Sequence, residues 1–138
     1  MKLTVQDPPR EFTPCPEVQI KDCARIELEA NEQVTFITRT GAEYDVARTA
    51  WGFYATPSLN GRLTKFGMRA LLVKNLKAKY YILIVEEGKE ADLQRYLDTE
   101  GHVIVCWLDQ DKSLAALDNG LKKYNNEKDS RQDHLPAE

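Results

Sequence analysis

Residues 69–86 read RALLVKNLKAKYYILIVE. Two apolar runs, residues 71–73 and 80–85, flank a short connection at residues 76–78. Apolar runs without polar alternation are typical of strands that are covered on both faces. The segment therefore predicts a β-hairpin whose two strands are central and form the core of the domain.

Before this hairpin, the apolar residues recur with a period of two, which indicates half-buried strands. The alternation runs through residues 17–29 and again through residues 34–48. Thr40 and Gly41 interrupt the second segment and predict a tight hairpin connection. We expect the globular part of the chain to begin with these strands, at Glu17.

Residues 50–56 predict a further strand, and residues 57–63 predict a loop. Within the loop, Asn60 and Gly61 form a strong turn signal, because both tolerate the positive φ that a type I′ turn requires. Binding groups are commonly carried on loops that a rigid sheet holds in place. This loop is therefore the part of the chain where we first look for function.

After the core hairpin, the apolar period changes from that of a strand to that of a helix. Leu93, Tyr96 and Leu97 lie at positions i, i+3 and i+4, acidic residues open the segment, and Gly101 follows it. This pattern predicts one amphipathic helix over residues 88–99.

The chain after this helix predicts one more strand and a second helix. Residues 102–108 are apolar throughout, which predicts an interior strand. Residues 79–108 would then form a strand–helix–strand crossover with parallel strands. Residues 113–117 predict a short helix that ends at Asp118-Asn119-Gly120.

Together these elements predict an α+β fold that is mainly β. We expect a single antiparallel-rich sheet, or a flattened β-barrel or sandwich, of six to eight strands with one helix between the last two. The predicted domain organisation is a proline-rich extended arm over residues 1–16, one globular domain over residues 17–124 and a disordered polar tail over residues 125–138.

Length and composition restrict the class of protein. The 138 residues suit one domain, and no apolar run reaches the ~18 residues that a membrane-spanning helix needs. Three cysteines and the lack of an apolar secretion signal after Met1 favour reduced thiols, so we expect a cytoplasmic protein without a membrane partner. A sequence pI near 5.5 disfavours nucleic acid as the partner.

The charge is segregated along the sequence, which indicates an anionic partner. Residues 46–85 carry seven basic residues and no acidic residue, in a chain whose formal net charge is -3. Half of the aromatic residues lie in the same segment. Basic heads beside aromatic faces are the combination that nucleotide and single-stranded nucleic-acid sites use.

The candidate ligand-binding residues in this segment combine exposed aromatic, amide and basic side chains. They are Trp51, Tyr54, Asn60, Arg62, Lys65 and Arg69. The competing interpretation is that the basic residues pair with acidic strand positions such as Glu43 and Asp45, while most of the aromatics belong to the core.

We predict no metal ion, no cofactor and no catalytic residue. Cys15, Cys23, His102 and Cys106 are the only residues that would suit a soft metal, and their spacing differs from that of zinc sites. On a regular strand, His102 and Cys106 share one face about 13 Å apart, which is too far for a shared metal or a catalytic dyad. Asp109 and Asp111 would suit Mg²⁺ with a phosphate, but a loop that caps the following helix explains them better.

Three functions remain open from the sequence. The first is a non-catalytic binding domain for a phosphate-bearing or otherwise acidic ligand, either a small molecule or a protein surface. The second is a protein-interaction or homo-oligomerisation module, such as a homodimer. The third is a small enzyme acting on a sugar or nucleotide, with Tyr44 or Tyr54 and Asp109 as acid and base.

Overall fold

The computed structural model describes residues 1–54 and 57–132. The fold is α+β and mainly β, with 45% of the residues in strands and 27% in helices, which confirms the predicted fold class. Its eight strands form three small antiparallel sheets, and none of them closes into a barrel in the described part of the chain. The elements are β1 (Lys2–Cys15), β2 (Val18–Glu27), β3 (Gln33–Ile37), β4 (Glu43–Thr49), β5 (Gly52–Tyr54), α1 (Arg62–Lys65), β6 (Met68–Lys74), β7 (Tyr80–Glu86), α2 (Glu90–Glu100), β8 (Val103–Trp107) and α3 (Asp111–Gln132).

The first sheet is a long hairpin of β1 and β2. Its first strand occupies the segment that the prolines led us to expect as an extended arm. Pro8 and Pro9 lie between Val5 and Arg10, where the register shifts and the ladder is interrupted. Their missing amide hydrogens therefore remove no hydrogen bond from the hairpin, and the prolines are compatible with the strand.

The second sheet has the strand order β3-β4-β5. Its first hairpin has the predicted connection, in which Gly41 adopts a φ of 93° and donates its amide hydrogen to the carbonyl of Thr38. The strand register pairs Asp45 of β4 with Thr35 of β3, and it pairs Arg48 of β4 with Phe53 of β5. The predicted strand over residues 50–56 is present as β5, and residues 55 and 56 lie outside the described residues.

The third sheet has the order β7-β6-β8 and contains most of the core. Both outer strands run antiparallel to β6, so β7 and β8 are parallel to each other and α2 connects them as the crossover prediction requires. The predicted central position of β7 is wrong, because β7 pairs only with β6 among the described residues. The prediction that residues 102–108 form an interior strand is also wrong, because β8 likewise pairs only with β6 in the described part of the chain. Its Val103 and Val105 are exposed.

Alternation along β6 divides the core into two clusters, one on each face of this sheet. One cluster is built on Met68 and Ala70 and includes residues of the neighbouring sheet and of α1. The other is built on Leu71 and Val73, which pack against Leu97 of α2. The Met68 cluster lies towards one end of its face, and at the opposite end of that face Tyr80, Ile82 and Val103 remain exposed.

The loop before β6 turns directly into α1. Neither Asn60 nor Gly61 has a positive φ, so the predicted type I′ turn is wrong. Instead, the carbonyl of Ser58 accepts hydrogen bonds from the amides of Gly61 and Leu63, and its hydroxyl oxygen accepts one from the amide of Arg62 at 2.8 Å. These hydrogen bonds satisfy the first free amides of the helix, whose N-cap Gly61 forms no side-chain hydrogen bond.

The last helix is longer than the sequence predicted. The expected end at residues 118–120 lies inside α3, where Lys122 and Asp118 form an i,i+4 ion pair of 2.8 Å. Residues 125–132, which we expected in the disordered tail, form its last turns, and residues 133–138 lie outside the described residues. None of the helices described is both long enough and apolar enough to span a membrane.

Candidate functional site

A groove lies between the β1–β2 hairpin and the β4–β5 strand pair. Its volume is about 630 Å³, and its lining residues are Lys2, Thr4, Arg25, Ile26, Glu27, Leu28, Arg48 and Phe53. We call it the basic groove. Cross-strand pairing places Lys2 opposite Glu27 and Thr4 opposite Arg25, so these four side chains share one face of the hairpin.

The basic groove is lined by more cationic side chains than acidic ones. Neither Lys2 nor Arg25 forms an ion pair among the described residues. Glu27 is the only carboxylate among the described residues that line the groove. The groove therefore has an excess of positive charge on a chain whose net charge is negative.

The opposite wall of the groove is a cation–π pair. The guanidinium carbon of Arg48 lies 5.3 Å from the ring centroid of Phe53, its cross-strand neighbour. Arg48 also donates hydrogen bonds to the carbonyls of Thr49 and Gly52, the latter at 3.0 Å. These contacts orient the guanidinium, while 57% of Phe53 remains exposed as an apolar face.

Two of the six predicted binding residues lie beside this wall. Trp51 is in the turn between β4 and β5 and is 74% exposed, and Tyr54 is the last residue of β5 and is also exposed. Neither residue lines the basic groove. Lys65 lies elsewhere, at the edge of a shallow pocket formed with Thr40, Phe66 and Glu86.

Asn60 and Arg62 bind carboxylates of the same chain. The amide nitrogen of the Asn60 side chain donates to Asp111 at 2.7 Å. Arg62 donates two hydrogen bonds of 3.2 Å to Asp45, and its guanidinium carbon lies 4.5 Å from the ring centroid of Phe66. The pairing of Arg62 with Asp45 is the alternative that the sequence left open.

Arg69 is the most constrained of the predicted residues. Its Nε donates to Asp109 at 2.8 Å, and its Nη1 donates to Glu90 at 3.3 Å. Hydrogen bonding to Asp109 raises the pKa of the guanidinium above its ordinary value. Two carboxylates and the ring of Trp107 thus contact the Arg69 side chain, which is only 24% exposed.

A second pocket, of about 320 Å³, is lined by aromatic and titratable side chains at the other end of the molecule. We call it the aromatic pocket, and it is formed by Pro14, Cys15, Val73, Asn75, Tyr81, Leu83, Tyr96, Glu100 and His102. Tyr81 stacks on His102 with centroids 6.1 Å apart, and Tyr96 meets the same ring edge-on at 5.8 Å. The buried Nδ1 of His102 has no hydrogen-bond partner among the described residues.

Burial controls the titration of the groups in this pocket. It raises the pKa of the Cys15 thiol above its ordinary value of 9.0, and the neighbouring Glu100 raises it further. Burial also raises the pKa of Tyr96 above 10.0. Both groups are therefore protonated at neutral pH, so the pocket offers hydrogen-bond donors rather than a thiolate nucleophile.

The remaining candidates from the sequence are kept apart by the fold. A register shift in β8 puts Cys106 with the Met68 cluster, whereas His102 belongs to the aromatic pocket on the opposite face. Our expectation that the two share a face is wrong for that reason. Within residues 1–54 and 57–132, no three His, Cys, Asp or Glu side chains are grouped as metal ligands.

Sequence reasoning missed the residues of the basic groove. Lys2 falls within the predicted arm over residues 1–16, and Arg25 falls within the alternating segment over residues 17–29. The signal was the alternation in both segments, which places Lys2 with Thr4 and Arg25 with Glu27 once the hairpin pairing is known. That pairing brings together residues more than twenty positions apart.

We compared the chain with protein-family models, curated proteins and solved structures. Its functional assignment depends on its own geometry and chemistry, because no family model, no curated protein and no solved structure matches it.

Proposed function

We propose that the chain is a non-catalytic binding domain that holds a small phosphate-bearing molecule in the basic groove. The observation that carries this proposal is the convergence of Lys2, Arg25 and Arg48 from three different strands on one groove with a single carboxylate. Gathered positive charges repel each other, and an anion relieves this repulsion. The volume of about 630 Å³ is within the range of small-molecule sites.

The chemistry of the lining residues favours a phosphate that is attached to a planar ring. Arginine binds phosphate oxygens through two parallel hydrogen bonds, and lysine adds a point charge. A phosphate monoester carries close to two negative charges at neutral pH, which matches the excess charge of the groove. The exposed ring of Phe53, backed by Arg48, offers a face on which a base or another flat ring stacks.

The proposal moves the site away from most of the residues predicted from the sequence. Arg62 and Arg69 already bind carboxylates of the chain, whereas Lys2 and Arg25 have no such partner among the described residues. Trp51 remains a candidate for extending the stacking face beyond Phe53, whereas Tyr54 follows Phe53 in β5 and by alternation faces the opposite side of the sheet. The binding role of each stays a prediction.

The positions of the proposed acid and base favour binding over catalysis. Tyr44 packs against the Met68 cluster and Asp109 is bound by Arg69. None of the four described pockets is lined by Tyr44, Tyr54 or Asp109. A general acid and base must both reach the substrate, so this trio does not support an enzyme.

The experiment is a calorimetric titration of the full chain with AMP, with inorganic phosphate and with adenosine, each at low and at moderate salt. We expect AMP to bind more tightly than phosphate, adenosine to bind least, and added salt to weaken AMP binding. The variant Arg25→Gln should weaken AMP binding by about tenfold to a hundredfold, because it removes charged hydrogen bonds.

Arg10→Gln is the matched control, since Arg10 lies on the same hairpin and pairs with Asp22 instead of lining the groove. This variant should bind AMP as the unmodified chain does. If neither AMP nor phosphate binds at low salt, or if Arg25→Gln and Arg10→Gln have the same effect, the proposal is wrong. Trp51→Ala tests in the same titration whether the stacking face extends beyond Phe53.

A further inference from the structure

The chain exposes far more surface than a compact monomer of its size. Its accessible surface is 10706 Å², and its mass is 15.8 kDa. A folded monomer of this mass is expected to expose roughly 7,300 Å². The excess of the observed surface indicates that parts of the chain project from the core and are available for a partner.

One contributor is a region of the sheet β7-β6-β8 in which exposed apolar side chains of the two outer strands surround Lys74 of β6. Tyr80 and Val103 flank Lys74 across the sheet, and Ile82 lies opposite Leu72, so these side chains share one face by register. Val105, in the register shift next to Cys106, adjoins them. We call Tyr80, Ile82, Val103 and Val105 the open sheet face, and each of them is between 48% and 63% exposed.

Another contributor is helix α3. Residues 115–130 are all exposed, so beyond its first turn the helix packs against nothing in the described part of the chain. Its large apolar residues are spaced by three, four and three positions, which places them on one side of the helix. We call them the α3 stripe, and they are Leu114, Leu117, Leu121 and Tyr124.

The two surfaces match in length and area. The α3 stripe is about 15 Å long, which is enough to cross three strands whose outer pair lies about 10 Å apart. If both surfaces were covered, the side chains would lose on the order of 700 Å² of accessible area per copy, close to the roughly 800 Å² per partner of a stable interface. Within the described part of a single copy, both surfaces remain uncovered.

We propose that two copies of the chain form a two-fold dimer in which the α3 stripe of each copy covers the open sheet face of the other. Because the two surfaces belong to one chain, a two-fold axis satisfies both at once and closes the assembly. Pairing of α3 with α3 would use a stripe of only two heptads and would leave the open sheet face exposed. This inference is independent of the basic groove, whose lining residues lie outside both surfaces.

The first measurement is the mass of the full chain in solution, by light scattering and sedimentation over a range of concentrations. We expect twice 15.8 kDa, falling to one copy on dilution. Ile82→Glu and Leu121→Glu should each raise the dissociation constant of the dimer by at least about a hundredfold. The reason is that a dimer of either variant would have to bury two unpaired carboxylates, one from each copy. Ile37→Glu is the matched control at an exposed strand position of another sheet.

A mixture of the two variants tests the reciprocal arrangement. The Ile82→Glu chain keeps an intact helix stripe, and the Leu121→Glu chain keeps an intact sheet face, so mixing them should restore a hybrid dimer with one good contact. A dimer through α3 alone would leave Ile82→Glu unaffected, and a dimer through the sheets alone would leave Leu121→Glu unaffected. Either result overturns the proposal, as does a monomer at high concentration. Circular dichroism of each variant verifies that it is folded.

Discussion

The guanidinium of Arg69 lies over the indole ring of Trp107, with its central carbon 3.9 Å from the ring centroid. The two residues face each other across β6 and the edge strand β8. Asp109 follows that strand and accepts a hydrogen bond from Arg69, and only 6% of its side chain is exposed. A basic residue that the sequence offered as a ligand site is therefore part of what attaches β8 to the sheet.

Removing the charge of Arg69 should destabilise the fold. Arg69→Met keeps an apolar stem over Trp107 but leaves the carboxylate of Asp109 buried without its partner, and we expect the free energy of unfolding to fall by about 3–5 kcal/mol. The double variant Arg69→Met/Asp109→Leu should recover a large part of this loss. Urea denaturation measures both. A loss below about 1 kcal/mol for Arg69→Met would mean that the pair contributes no more than a surface ion pair.

Glu90, the second carboxylate beside Arg69, should make stability depend on pH. Its own backbone amide, then Arg69 and the amide of Gly88 hold the pKa of this carboxyl below its ordinary value of 4.5. The unfolded chain therefore binds the proton more readily, and stability that is present above pH 4.5 is lost as the pH falls through the folded pKa. We expect Glu90→Gln to be less stable than the unmodified chain at pH 7, with the difference closing towards pH 3.

The control for this pH series is Glu87→Gln. The side chain of Glu87 is exposed and forms no hydrogen bond or ion pair within the described part of the chain. Thermal unfolding of this variant should follow the unmodified chain at every pH. A constant difference between Glu90→Gln and the unmodified chain from pH 7 to pH 3 would contradict the linkage.

Local patterns predicted those elements whose residues are close in sequence. The hairpins around Gly41 and residues 76–78 and the helix before Gly101 needed only period and turn chemistry. The prolines of β1 led to the wrong expectation of an unpaired arm, because a proline disrupts a strand only where its missing amide would have formed a ladder hydrogen bond. Pro8 and Pro9 lie where the ladder is interrupted, and no local sequence pattern reveals this interruption. The same holds for β8, whose position at an edge follows from strand order alone.

The candidate site was harder to predict because carboxylates far away in sequence bind its basic residues. Asp45 lies 17 positions from Arg62, and Asp109 lies 40 positions from Arg69. Counting charges in residues 46–85 could not show which of them the fold would neutralise. Of the basic residues in that segment, Arg48 lines the basic groove, and its part in binding an anion stays a prediction.

Gly101 should resist substitution, whereas Gly120 should not. Gly101 ends α2 with a φ of 66°, and a Cβ there would lie 3.1 Å from the Cδ1 of Leu76. Gly101→Ala should therefore lower the free energy of unfolding by about 1 kcal/mol. Gly120 lies inside α3 in open space, so Gly120→Ala should raise the helical signal in far-UV circular dichroism. Equal effects of the two changes on stability would contradict the assignment of the α2 cap.

The cysteines should differ in their reactivity because the thiolate is the attacking form. Cys15 is buried in the aromatic pocket, and burial followed by Glu100 raises the pKa of its thiol above 9.0, whereas Cys23 is exposed. Alkylation by iodoacetamide at neutral pH, followed by peptide mass spectrometry, should therefore modify Cys23 at least about tenfold faster than Cys15. Glu100→Gln should lower the pKa of Cys15 and accelerate its alkylation, but burial, the larger cause, should keep it slower than Cys23. Equal rates for the two cysteines would show that Cys15 is open to solvent and that the aromatic pocket does not close around it.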